Sequence, residues 1–138
     1  MLSFVPDVSA VCAWCFEDER TAASEALLAR LPECELCIPA LFLWELGNVL
    51  LMAERRGRIS SADRSRFLAL VVQLDLGIDP ADPQVVWHDV LGLASQHRLT
   101  SYDAAYLELA MRGGLPLASR DNALMEAART CGLELLAC

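Results

Sequence analysis

Four acidic residues, far apart along the 138-residue chain, stand where a carboxylate is either awkward to house or useful for chemistry. Asp7 follows the apolar run Leu2–Val5 and Pro6, and Asp121 follows Leu115–Ser119. Each has a hydroxyl residue two positions away, Ser9 and Ser119, and each leads into a helical segment. Taken singly, either aspartate is an ordinary helix cap or first-turn acid. Glu45 is harder to place. It interrupts Leu41, Phe42, Leu43 and Trp44 and precedes Leu46, Val49, Leu50, Leu51 and Met52, so its helix is apolar on nearly every side and only Asn48 shares its face. An ionised carboxylate buried alone is strongly destabilising, so a cation must face it, either an internal arginine or a metal ion. Asp103, in the first turn of a helix that opens near Ser101, is by itself a dipole-complementing acid. Together the four read differently. Converging carboxylates raise one another's pKa values, and a divalent ion removes that strain. Magnesium takes oxygen ligands, keeps several waters and binds through a few carboxylates plus a substrate phosphate, so no His or Cys ligand is needed.

These residues need a scaffold that gathers them. Leu2–Val5 reads as a strand, followed by a helix through Val11, Trp14, Cys15 and Phe16 that Ser9 can cap. A second helix spans Ala22–Leu31 and stops at Pro32, and Leu36–Ile38 is a second strand. Pro39 is placed to open a long helix to Arg56, with Gly57 as its left-handed terminator. Ser60 and Asp63 form a capping box for a helix over Ser61–Leu74. Leu76–Ile78 is a strand, Asp82 and Pro83 open a helix to Gln96, and Ser101 opens another that ends at Gly113 and Gly114. Leu115–Ser119 is a strand, Asn122–Cys131 a helix ended by Gly132, and Leu133–Leu136 a last strand. Alternating strands and helices specify an α/β domain in which a central parallel sheet of about five short strands carries helices on both faces. With no repeat or linker to divide the chain, residues 1–138 are expected to form a single domain. Ligands of such sheets bind beyond the carboxyl ends of the strands, where the strand order reverses, and Asp7 and Asp121 both lie at such ends.

The composition sets further bounds. An apolar fraction of 55% and a mean hydropathy of +0.36 leave apolar surface once one core is filled, which points to a partner. The oiliest stretch, Ile38–Ala53, contains Pro39, Glu45 and Asn48 and is too short for a membrane span, so it reads as buried helix. No basic start precedes an apolar run at the N-terminus, and a cytoplasmic location is expected. The net charge is −8 and all eleven basic residues are arginine, so nucleic acid must be held by local patches or through a metal. Arg55, Arg56 and Arg58, with Arg64 and Arg66, are the densest patch; they either complement the end of a helix or touch phosphate or a partner.

At Asp7-Val8-Ser9, at Glu45 with Asn48, at Tyr102-Asp103-Ala104-Ala105-Tyr106-Leu107 and at Ser119-Arg120-Asp121, the sequence resembles the PIN-domain ribonucleases, and most closely the VapC-type toxins of bacterial toxin–antitoxin pairs. The similarity covers nearly the whole chain, with four short motifs in the family's order. Pro6 departs from it, standing where an aliphatic residue is usual, and so do the six cysteines. The resemblance implies a PIN-like three-layer domain that cleaves RNA endonucleolytically. It implies that Asp7, Glu45, Asp103 and Asp121 hold one or two magnesium or manganese ions, that Ser9, Asn48 and Ser119 orient them, that the chain forms a homodimer, and that a cognate antitoxin covers the active-site groove. Within the same fold, DNA or structured nucleic acid is the alternative substrate. A module without metal, whose acids receive basic side chains from a partner, is the alternative from another class.

Other constellations carry less. Cys12 with Cys15 and Cys34 with Cys37 form two C-x-x-C pairs at zinc-like separation. The first falls on an apolar helix and the second enters a strand, where positions three apart face opposite ways, so reduced, buried thiols are expected. His88 and His97 are nine apart on one helix and share no face. No nucleophile elbow, phosphate-cradling glycine loop or dinucleotide fingerprint is present.

Overall fold

The computed structural model describes residues 2–138. Its elements run β1 (Leu2–Pro6), α1 (Val8–Cys15), α2 (Ala22–Arg30), β2 (Cys34–Pro39), α3 (Leu41–Arg55), α4 (Ser61–Val72), β3 (Asp75–Asp79), α5 (Leu91–His97), α6 (Ser101–Gly113), β4 (Leu117–Ala118) and α7 (Asn122–Thr130). The four strands form a parallel sheet in the order β3-β2-β1-β4. The chain therefore moves outward from β1 through β2 to β3 and then jumps back across to β4. Right-handed crossovers put α1–α4 on one face and α5–α7 on the other. The packing agrees, with α1 against α2 and α3, α3 against α4, and α5 and α7 against α6. Phe4, Val5, Leu36 and Ile38 of the inner strands meet Phe42, Leu50, Tyr106, Leu107 and Leu124 of the helices in the main core. Each large side chain so buried contributes about 1.5–3 kcal/mol.

Local chemistry sets most boundaries. Thr21 with Ser24 and Ser60 with Asp63 make reciprocal capping boxes for α2 and α4. Gly114, at φ 62°, ends α6 in the left-handed conformation that glycine adopts without a Cβ clash.

Several expectations are corrected. Asp7 caps α1 by accepting from the Ala10 N–H, whereas the Ser9 hydroxyl is spent on Asp7 itself. Pro39 ends β2, because the ladder to β3 continues through Pro39 and Asp79 and holds the chain extended as far as Pro39, after which Ala40 turns helical and α3 begins at Leu41. Val85–Val90 is π-helical and runs straight into α5. The strand expected at Leu115–Ser119 shrinks to Leu117–Ala118: the Leu115 N–H bonds back to Ala110 and Pro116 has no N–H to give. The expected last strand is a single bridge from Leu135 to Leu117, since so short a β4 offers few groups to pair. The apolar α3 is only half buried; Leu43, Trp44 and Val49 face outward, Trp44 with 81% of its surface exposed. Among the described residues, no helix is long and apolar enough to cross a membrane.

Candidate active site

The reversal of strand order falls between β1 and β4, and it brings Asp7 and Ser119 together across 112 residues of sequence. Asp7 is only 5% exposed. Its backbone N–H bonds to Ala118 of β4. Its Oδ1 accepts from Ser9 Oγ at 2.6 Å and from the Ala10 N–H at 3.0 Å, and its Oδ2 accepts from Ser119 Oγ at 2.5 Å. Both hydroxyls are themselves tied down. Ser9 Oγ accepts from the Arg120 N–H at 2.8 Å, and Ser119 Oγ accepts from the Asp121 N–H at 3.0 Å. These bonds lock the two strand-to-helix corners into one unit. Asp121 then caps α7, its Oδ1 accepting from the Leu124 N–H at 2.8 Å.

The other two acids arrive on helices. Thr100 caps α6 and accepts from the Asp103 N–H, which sets Asp103 in the first helical turn. Glu45, on the second turn of α3, accepts from the Tyr106 hydroxyl at 2.5 Å through Oε1. Tyr106 follows Asp103 by three residues on α6, so a single helix face delivers one acid and the donor that fixes another.

Electrostatics links all four. Burial first, and then the charge of Asp121, push the Asp7 carboxyl above its ordinary pKa, against the pull of the Ser119, Ser9 and Ala10 bonds. Burial likewise raises Glu45, the Tyr106 bond opposes it, and the charges of Asp103 and Asp7 add to the rise. Asp103 is raised by burial, then by Asp121 and Asp7. Among the described residues no arginine or histidine forms an ion pair with any of the four. The internal arginine considered for Glu45 is therefore not its partner. The arrangement is an oxygen-only donor set with excess negative charge. As they stand, no three acid, His or Cys side chains of the described residues close around a common point.

Asn48 does not take the orienting role expected of it. It is exposed and its side chain makes no hydrogen bond among the described residues, and Tyr106 supplies the contact to Glu45 instead. The arginine patch is largely engaged elsewhere. Arg58 pairs with Asp18 and Glu19 and stacks over Phe16, Arg64 pairs with Glu54, and Arg66 with Asp63. Arg55 lies in the last turn of α3, ten residues or about 15 Å along the helix from Glu45, where it complements the helix end. All six cysteines are free thiols. His88 sits beside Asp89 and His97 beside Cys131, and neither joins the acids.

The PIN domain family matches residues 4–130 of this chain. The chain belongs to that family. This PIN domain is 29% identical over 125 residues to Ribonuclease VapC3 of Pyrobaculum aerophilum, covering 91% of this chain and 94% of the relative. Among solved structures it superposes with a TM-score of 0.69 on the sarcin-ricin-loop-cleaving toxin VapC20 of Mycobacterium tuberculosis, at 15% identity, covering 90% of this chain and 94% of the other. With VapBC2 of Rickettsia felis bound to a DNA fragment from their promoter, the TM-score is 0.68 at 12% identity, covering 97% of each chain. At those identities the two structures speak to the fold, and they share the three-layer PIN architecture found here.

Proposed function

We propose that this PIN domain is a magnesium-dependent endoribonuclease acting in the cytoplasm as the toxin of a type II toxin–antitoxin pair. One observation carries the reading: Asp7, Glu45, Asp103 and Asp121 lie near the strand-order reversal, where burial and the neighbouring acids' charges push the carboxyls of Asp7, Glu45 and Asp103 above their ordinary pKa, with no cation of the protein's own paired to them among the described residues. The relation to Ribonuclease VapC3 supports the choice of reaction.

The donor set fits magnesium. It is composed of carboxylate oxygens, and magnesium needs only one or two of them besides water and substrate phosphate, so a preformed tight triad is not required. Manganese has the same preferences and is the expected substitute. Asp7 would be the central ligand, held by two hydroxyls and one amide; Glu45, Asp103 and Asp121 would complete the set. Magnesium bound there supplies Lewis acidity toward a phosphodiester oxygen and lowers the pKa of a water at neutral pH. Ser9 and Ser119 keep the Asp7 oxygens from rotating, and Tyr106 does the same for Glu45, so the negative groups are oriented before RNA arrives.

The exposed apolar surface supports partners. Trp44 and Trp87, 81% and 72% exposed, are costly to leave in water and suit burial in a homodimer. A groove of about 510 Å³ between α1, α2 and α4, floored by Trp14, Leu28, Leu31, Phe67 and Leu70, suits an apolar antitoxin segment. The test is incubation of the partner-free protein with total RNA, and with DNA of matched length, in magnesium or in chelator, with cleaved ends mapped. RNA cleavage in magnesium alone, abolished by Asp7→Asn, is the expected result. Cleavage undiminished in that variant refutes the site, cleavage of DNA alone replaces the substrate, and no cleavage of either favours the binding-module alternative.

A further inference from the structure

We propose that Tyr106 makes the acidic site selective for small octahedral cations over calcium, by keeping Glu45 a one-oxygen ligand; this rests on the magnesium reading above. The Tyr106 ring is 1% exposed and its hydroxyl reaches Glu45 Oε1 at 2.5 Å, a short, charge-assisted bond between α6 and α3. A phenol at neutral pH is a donor toward a carboxylate, so Oε1 is engaged by the protein. Oε2 has no hydrogen-bond partner among the described residues and is the oxygen left for an ion.

That division has a chemical consequence. Calcium accepts six to eight oxygens and commonly takes a carboxylate by both at once, whereas magnesium demands near-ideal octahedral geometry and takes carboxylate oxygens singly. A carboxylate free at both oxygens can serve either ion. One whose second oxygen holds a buried phenol serves calcium in its two-oxygen mode only by giving up that bond. The pattern extends to the neighbours. Asp121 has Oδ1 on the Leu124 N–H, and Asp7 has a donor on each oxygen, Ser9 and Ala10 on one and Ser119 on the other. Glu45 and Asp121 thus each keep one oxygen clear of protein donors, while Asp7 carries a donor on both and can meet an ion only through its remaining lone pairs. At Asp7 and Asp121 the carboxylates themselves cap α1 and α7 by accepting from backbone N–H groups, which no side-chain substitution deletes, and Ser9 and Ser119 also tie the two corners together. Tyr106 is the donor that can be removed cleanly, because phenylalanine preserves the ring and its packing and deletes the hydroxyl alone.

The experiment is calorimetric titration of the RNA-free protein with magnesium alone and with calcium alone, for the wild type and for Tyr106→Phe, with far-UV circular dichroism and melting to establish folding. The wild type is expected to bind magnesium more tightly than calcium. Loss of such an orienting partner weakens metal binding by about 10- to 100-fold. Tyr106→Phe is therefore expected to lose roughly tenfold in magnesium affinity while calcium binding holds or strengthens, so the magnesium-to-calcium ratio falls at least about tenfold. A role confined to packing moves stability and leaves that ratio unchanged. A folded Tyr106→Phe protein whose ratio stays within twofold of wild type overturns the proposal and leaves the magnesium reading standing. A wild type that binds neither ion overturns both. If Tyr106→Phe does not fold, Tyr106→Met carries the same comparison with the same expected and overturning results.

Discussion

Replacing Asp103 by asparagine should make the metal-free protein more stable, which is the opposite of what substituting a half-buried residue usually does. Burial, then Asp121 and Asp7, raise the pKa of this carboxyl in the folded chain. The native state therefore holds the proton more tightly than the unfolded state. Stability is greatest below the ordinary carboxylate range and falls as pH rises from the unfolded pKa through the folded one. At pH 7 the charge is destabilising. Asparagine keeps the shape, keeps a carbonyl oxygen for the nearby Thr100 hydroxyl and removes the charge. Asp103 is partly exposed, so each of its two like-charge contacts is screened to about 0.2–1 kcal/mol, giving a gain of about 1 kcal/mol. With an unfolding entropy of about 2.1 cal/mol/K per residue, 138 residues translate that gain into a rise of about 3 °C in Tm. The assay is thermal unfolding at low salt with chelator, repeated with magnesium. If the proposed magnesium site is occupied at ten times Kd, the wild type should gain about 1.4 kcal/mol, or roughly 5 °C, while the variant, short of one proposed ligand, should gain less. With a site weakened about tenfold, the variant gains only about 1.4 °C, so its lead in melting point should all but vanish. In 1 M salt, where the Debye length is about 3 Å, the chelator-state gap should shrink. An Asp103→Asn protein that melts below wild type in chelator at low salt, or a gap indifferent to salt, refutes the crowding of charge on which the site depends.

Two further outcomes test the frame around the site. Arg112 ties α6 to the end of β3 through Glu108 at 2.7 and 3.1 Å and Asp79 at 2.9 and 2.8 Å, leaving the nearly buried Glu108 unpaired if it is removed. Allowing for the exposure of Arg112, Arg112→Met should cost about 2 kcal/mol in urea unfolding, with part recovered by adding Glu108→Gln; a loss under about 0.5 kcal/mol contradicts the clamp. The Cys12 thiol is pushed up to about 12, chiefly by burial, and the Cys37 thiol to about 11 by burial and then by its bond to Glu35. Both should stay unlabelled by a maleimide at pH 7.5 in the native protein and react fully in denaturant, as peptide mapping by mass spectrometry would record. Rapid native labelling of Cys12 would mean that α1 opens far more often than its packing implies.

What could be read from the sequence was local in origin. Asp7 and Asp121 each end a short apolar run, and the rule that ligands gather at strand ends where the order reverses was enough to bring them together. The capping box at Ser60 and Asp63 and the glycine stop at Gly114 follow from neighbours within a few positions. The misreadings have non-local causes. Tyr106 reaches Glu45 from 61 residues away, whereas Asn48 pairs with Glu45 by helical spacing and by the family resemblance, and α3 turns it into solvent. Pro39 suits a helix start by propensity, but pairing with β3 holds it in a strand. The half-exposed face of α3 was hidden because Trp44 and Leu43 look like core residues until the packing is known.

Of the three strand pairings, the one between β1 and β4 is two residues long, Val5 with Leu117 and Pro6 with Ala118, and the acidic corner sits directly at its end. The seam between the two halves of the sheet is thus fastened by side-chain bonds at Asp7, Ser9 and Ser119 as much as by the ladder itself. Anything that neutralises those aspartates acts as a rivet on the least reinforced joint in the molecule, so loading the site and closing the seam belong to one equilibrium. Amide exchange at Val5 and Asp7, whose N–H groups cross that joint, should slow when the site is filled and so give a reading of occupancy that needs no substrate.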